Sequence, residues 1–236
     1  MRIVTESEGL ERISVPEYAS ELKDPFTMID LVQIDDLSLS VYLCQGTMPQ
    51  HRHLDQDELF IVHSGTMSLD SRWGTAVLHP GELVVVPKGV DHRASSPIRS
   101  LVLLLQPRLM VNRRNGDRRL FGLKDEGQLQ KVSVPAIGRQ LVTPFHRVVL
   151  ADLDTFALTV MLCRGTGPWE CREGQDSLVF CFDGNLILRS ELGDLALSGG
   201  ELTTVPKGGR YQLSSNPRAL VLEVQRHKQP GLPLPD

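Results

Sequence analysis

Apolar positions along the chain come in short runs, and none extends into a long helical stripe. LSLSVYL (37–43), ELFIV (58–62), ELVVVP (82–87) and SLVLLL (100–105) are rich in Val, Leu and Ile. Gly, Pro, Asp or Ser interrupts them about every ten residues, the spacing of strands joined by turns. No window carries the 3.6-residue period of a long amphipathic helix. The pattern predicts an all-β fold of the sandwich or jelly-roll kind.

The same pattern is written twice. Residues 12–107 overlay residues 131–226 at a constant offset of 119 without a gap, and roughly two positions in five are identical. The clearest matches are SVP at 14–16 and 133–135, VYLCQGTMP against VMLCRGTGP, and GELVVVPKG against GELTTVPKG. A period this long in two copies predicts a duplicated domain and not a solenoid. The boundaries read as a first domain over 1–107, a linker over 108–131 and a second domain over 132–236. The linker is polar and basic, with an Asn115-Gly116 turn signal, and its Arg113, Arg114, Arg118 and Arg119 read as a solvated charge run. The two domains are expected to pack on each other, since isolated barrels would leave an apolar face uncovered.

One stretch of the first copy departs from this strand-and-turn texture. In MPQHRHLDQDELFIV (48–62), two histidines and a cluster of acids stand directly before an apolar strand. Residues two apart on an extended strand share a face, so His51 and His53 point together and Arg52 points away. Beyond the turn, alternation puts Glu58, Phe60 and Val62 on one face of the next strand. If both strands turn these faces inward, a carboxylate arrives beside two imidazoles, and His92, after the Pro87-x-Gly89 turn, offers a third. Three nitrogens and one oxygen suit a divalent cation. Asp55, Asp57, Asp91 and Arg93 lie close by in sequence, where acidic turn residues are ordinarily just solvated. His63, His79, His146 and His227 belong to no such group.

Composition narrows the setting. With 236 residues, 41% hydrophobic and 23% charged, the chain has enough apolar mass for one or two cores. A net charge of -4 gives no general reason to expect nucleic acid as a partner. Cys44, Cys163, Cys171 and Cys181 form no CxxC pair, which predicts reduced thiols in a cytoplasmic protein. Residues 1–12 lack the apolar segment of a signal peptide, and no apolar run is long enough to span a bilayer, so no membrane partner is expected. The expected partner is a small-molecule ligand or substrate. A homodimer is compatible with the sequence, which says nothing more about assembly.

Gly46, His51, His53, Glu58 and Gly65 resemble the first cupin motif, and Gly81, Pro87, Gly89 and His92 resemble the second, G-x5-P-x-G-x2-H. The spacing between Gly46 and His51 departs by one residue, and Ser96 stands where many cupins carry Asn. The surrounding text is similar to the small mannose-6-phosphate-isomerase-like cupins. The resemblance implies a bicupin, two tandem double-stranded β-helix barrels, with His51, His53, Glu58 and His92 as ligands of one divalent metal ion in the first. Imidazole suits Fe, Mn, Ni, Co and Zn, and nothing in the sequence selects among them. Cupins with this ligand set include isomerases, dioxygenases and decarboxylases. The expected function is a small-molecule enzyme of the isomerase or dioxygenase type, with a non-catalytic ligand-binding or sensing bicupin as the alternative.

The second copy serves as an internal control. At the offset of 119, His51 becomes Glu170, His53 becomes Arg172, Glu58 becomes Ser177 and His92 becomes Tyr211. No histidine remains, and Arg172 puts a permanent cation where a metal would sit. Gly65 and Gly184, Pro87 and Pro206, and Gly89 and Gly208 still agree. The second barrel is therefore expected to keep the scaffold without the metal, Glu170 and Arg172 neutralising each other and Cys181 facing inward as a buried, inert thiol.

Overall fold

The computed structural model of the protein describes residues 9–107 and 127–226. The linker arginines and His227 lie outside the described residues. Fifteen strands and two short helices are described. The strands of the first half are β2 (Met28–Ile34), β3 (Leu37–Thr47), β4 (Glu58–Ser64), β5 (Met67–Ser71), β6 (Gly74–Leu78), β7 (Glu82–Val86) and β8 (His92–Pro107). Those of the second are β10 (Arg147–Leu153), β11 (Phe156–Cys171), β12 (Ser177–Ser190), β13 (Leu195–Ser198), β14 (Glu201–Val205) and β15 (Arg210–Arg226). The pairing registers repeat with the sequence: Met28 faces Tyr42 as Arg147 faces Met161, and Glu58 faces Val86 as Ser177 faces Val205.

Strand alternation here serves two cores at once, because the central strands are buried on both faces. Leu39, Val41 and Leu43 of β3, Leu59 and Ile61 of β4, and Leu103 and Leu105 of β8 point one way. They meet Leu158 and Val160 of β11, Leu178 and Phe180 of β12, and Leu222 and Val224 of β15 in a single core shared by the two halves. The intervening residues fill the barrels: Tyr42, Cys44, Phe60, Val62, Val102 and Leu104 in the first, Met161, Cys163, Val179, Cys181 and Val221 in the second. The expected packing of one barrel on the other is thus achieved through the alternate faces of the same strands. The four cysteines are free, and only Cys171 is exposed.

Both SVP repeats mark an element that the apolar pattern alone does not reveal. Ser14 and Ser133 accept from the backbone N–H of Glu17 (3.4 Å) and Ala136 (3.3 Å), and each caps a seven-residue helix, α1 (Val15–Glu21) and α2 (Val134–Gln140), with proline in the first turn. The two short strands before these helices cross over. β1 (Ile13–Ser14) pairs with β14 of the second half, and β9 (Lys131–Ser133) pairs with β7 of the first. Backbone bonds from Val15 N to Gly200 O (3.0 Å) and from Val134 N to Gly81 O (2.9 Å) continue the exchange. Ahead of β9, Leu129 packs into the first barrel's core, and a Cβ on Gly127 would lie 2.5 Å from the Trp73 ring. Each sheet therefore includes a strand from the other half of the chain.

The shared glycines hold the turns. Gly65 has φ of +83°, and a Cβ there would fall 2.2 Å from Ser100 Oγ; Gly184 has φ of +88°, with Arg218 O at 2.4 Å. Ser100 Oγ is itself committed to both the N–H and the carbonyl of Thr66. Gly65→Ala is expected to destabilise the protein by about 2–3 kcal/mol, from a left-handed backbone and a contact that cannot relax. Urea unfolding of the variant checks this, and an unchanged midpoint would contradict it.

Candidate metal centre

The turn preceding β4 and the start of β8 bring the four predicted residues to one end of the first barrel. His51 and His92 lie opposite each other in a two-residue bridge, with His51 N to His92 O at 3.0 Å and His92 N to His51 O at 2.8 Å. The carbonyl of His53 accepts from Gly89 N at 2.6 Å, which fastens the histidine turn to the Pro87-Lys88-Gly89 turn. Glu58, as the first residue of β4, projects inward beside them. One candidate ligand atom from each of His51, His53, Glu58 and His92 lies within 4.8 Å of every other.

Backbone carbonyls orient two of the rings. His51 Nδ1 lies 3.0 Å from Pro49 O and His92 Nδ1 lies 3.1 Å from Val90 O, so the proton belongs on Nδ1 and the Nε2 lone pair is left for the centre. Glu58 Oε2 sits 3.0 Å from His92 Nε2 and 3.3 Å from His53 Nε2. Glu58 and His92 are buried, and neither Oε2 nor Nε2 has a properly aligned hydrogen-bond partner. Two electron-pair donors thus face each other out of water, an arrangement that costs free energy unless a cation lies between them. The same bias acts on His92 itself: burial opposes a charged ring, but Glu58, the Val90 carbonyl and Asp91 outweigh it and raise its pKa above the ordinary imidazole value. The spot favours positive charge, and three imidazoles with one carboxylate fit a divalent ion.

Aromatic side chains support the centre from inside the barrel. The Phe60 ring lies 6.0 Å from His92 and meets Tyr42 edge-on at 6.4 Å. Tyr42 donates its hydroxyl proton to Met67 Sδ at 3.2 Å, and burial, with Cys44 and Glu58 adding to it, keeps its pKa well above the ordinary phenol value. Burial likewise pushes the Cys44 thiol to about 11. The sequence reading did not single out Tyr42; its two-residue spacing from Ser40 and Cys44, on the strand beside the histidines' partner β8, was the available signal.

The charged neighbours in sequence are not part of the centre. Asp57 accepts from Lys88 N at 2.9 Å and, across the junction of the two halves, exchanges backbone-to-carboxylate bonds with Asp154 at 3.1 and 3.2 Å. Arg52 faces Asp91 at 3.8 Å and Arg93 pairs with Asp70 at 3.2 Å. His79 bonds Glu82, and His63 sits half-buried beside Pro16 and Gly200, where burial lowers its pKa. His146 is exposed.

At the corresponding end of the second barrel, Glu170 and Arg172 are 3.9 Å apart, and their main partners lie elsewhere. Arg147 Nη2 donates to Glu170 Oε2 at 2.6 Å and its guanidinium also pairs with Glu223. Arg172 Nη2 donates to Glu223 Oε2 at 3.3 Å, and Tyr211 donates its hydroxyl to Glu223 Oε1 at 3.3 Å. With its amide turned so that the oxygen faces the guanidiniums, Gln225 would accept from Arg172 Nη2 at 3.0 Å and Arg147 Nε at 2.9 Å. Two guanidiniums and two carboxylates thus balance where the first barrel gathers its histidines. Cys181 is buried as expected, its thiol pushed to about 12 by burial.

Comparison with known proteins agrees with this architecture. The profile of the cupin domain family matches residues 40–102. The uncharacterized protein YdbB of Bacillus subtilis (strain 168) is 32% identical over 89 residues, 37% of this chain and 79% of that protein. The chain belongs to the cupin family. Among solved structures, this cupin resembles a cupin 2 conserved barrel domain protein from Leptotrichia buccalis (TM-score 0.71, 8% identity, 95% of this chain and 100% of that one). It also resembles a salicylate 1,2-dioxygenase variant from Pseudoaminobacter salicylatoxidans in complex with gentisate (TM-score 0.72, 11% identity, 95% and 84%). At these identities the likeness is one of fold, and it establishes two tandem cupin barrels. Among the described residues no helix is long and apolar enough to cross a membrane.

Proposed function

We propose that this cupin is a metal-dependent enzyme acting on a small molecule, of the isomerase or dioxygenase type, with one divalent ion held by His51, His53, Glu58 and His92. The observation that carries the reading is the unsatisfied pair of Glu58 Oε2 and His92 Nε2, buried and 3.0 Å apart. A bound ion would supply a Lewis acid and, if redox-active, an electron source. His51 and His92 are oriented for it by Pro49 and Val90, while Glu58 contributes the one negative charge. Tyr42 keeps its proton on Oη beneath the centre, and Phe60 excludes water from that side. The free thiols support a reducing, cytoplasmic setting.

The second barrel is proposed to be metal-free, since its charges are already balanced by Arg147, Glu170, Arg172 and Glu223. Elemental analysis of untagged protein is expected to give one tightly held ion per chain. Two ions per chain, or one that survives His51→Ala undiminished, would refute the single-site assignment. Oxygen uptake with small hydroxy, keto and phenolic compounds then separates a dioxygenase from an isomerase.

A further inference from the structure

The second barrel, with other residues at the four corresponding positions, also identifies what surrounds them in the first. Arg147 on β10 reaches Glu170 and Glu223, the counterparts of His51 and Leu104. Its own counterpart is Met28 on β2, and the registers agree: Met28 stands opposite Tyr42, whose side chain points into the barrel, as Arg147 stands opposite Met161. Cross-strand partners share a face, so Met28 lies on the same face as Tyr42, and its correspondence with Arg147 assigns it to the end of the barrel that carries His51. It is 46% exposed, and Leu104 below it is 7% exposed. The position that carries a guanidinium and a carboxylate in the second barrel therefore carries a thioether and an isobutyl group in the first.

Among the described residues, the other charges near this end of the barrel are paired or negative. Gln106, the counterpart of Gln225, accepts from the Gln56 amide at 3.3 Å. Asp30, on the same face of β2 as Met28, accepts from Ser40 Oγ at 2.6 Å and is exposed. Arg52, Arg93 and Lys88 are paired with Asp91, Asp70 and Asp154. Among the described residues, no lysine or arginine forms an ion pair or hydrogen bond with any of the four centre residues. His51 and His53 are partly exposed and His92 and Glu58 buried, so the centre is open on the side of His51 and His53.

We propose that the centre takes a ligand with one metal-binding oxygen function and an uncharged, apolar body laid against Met28, and that it discriminates against a body carrying a second negative charge. This rests on the metal reading above. Among the described residues, a carboxylate on the ligand's body would find no unpaired cation to meet it and would approach Asp30, whereas an apolar body removes Met28 from water.

The test uses the full-length protein loaded with Co2+, read by its visible absorption. Benzohydroxamate and 4-carboxybenzohydroxamate share a metal-binding head and differ by one charge at the far end. The proposal expects benzohydroxamate to bind at least about tenfold more tightly. Met28→Arg, which imports the second barrel's residue, and Asp30→Asn should each narrow that ratio by several-fold. Both substitute exposed positions, and circular dichroism verifies that the variants fold. Equal or tighter binding of the carboxylated probe by the unmodified protein, a ratio unmoved in both variants, or a Co2+ spectrum that neither probe perturbs would overturn the proposal. Failure of Co2+ to bind at all would instead overturn the metal reading, and this inference with it.

Discussion

Glu58→Gln is expected to weaken metal binding by at least about 100-fold, since changes in mere outer-shell partners already cost 10- to 100-fold. Glutamine keeps the size and one oxygen of the side chain but removes the anionic donor that faces His53 and His92 at 3.3 and 3.0 Å. The fold should survive, because the apolar strands on either side carry most of the barrel's burial and the metal-free protein is relieved of a buried charge. Metal content after dialysis and the unfolding midpoint are the two readings. Ser177→Ala, the matching position in the second barrel, should change metal content not at all. If the serine variant lost metal and the glutamine variant kept it, the ion would have to reside in the barrel without histidines.

The second large effect concerns stability. Glu223→Gln is expected to destabilise the protein by about 2–3 kcal/mol while leaving metal content unchanged. The Glu223 side chain is 2% exposed and answers both Arg147 and Arg172, so neutralising it leaves an excess guanidinium charge out of water. Removing one partner of a buried pair costs roughly 3–5 kcal/mol, and the figure here is lower because the arginines are about one-fifth exposed. Urea unfolding measures it. An unchanged unfolding free energy would mean that the network merely fills the space that the histidines occupy in the first barrel.

The contrast between these two sites explains what the sequence discloses. His51, His53, Glu58 and His92 are legible because metal-binding side chains are scarce, their spacing is fixed by a turn bridged to His92 and by the start of β4, and the second copy shows each of them replaced. The network around Glu223 is not, because arginines and glutamates are common on strands and their pairing is settled only by the fold. The available hint was Glu223 itself, a charge within the apolar run ALVLEV where the first copy has leucine. The short helices were foreshadowed by Ser-Val-Pro, an N-cap followed by a first-turn proline. The exchange of β1 and β9 was not, since two or three residues carry no signal for which sheet they will join. The residues 14–16 and 133–135 are identical in the two copies, so only tertiary geometry assigns each to the opposite half.

That exchange also bears on how the chain is completed during synthesis. Ile13 pairs with Leu202, and Val132 with Leu83. At roughly 5–20 residues per second, β1 waits about 10 to 40 s after leaving the ribosome for its partner to be made. Meanwhile the first barrel cannot cover the edge of β7 until residue 133 has emerged, so a nascent chain halted at the end of β8 would display a bare sheet edge beside an apolar surface meant for the other half.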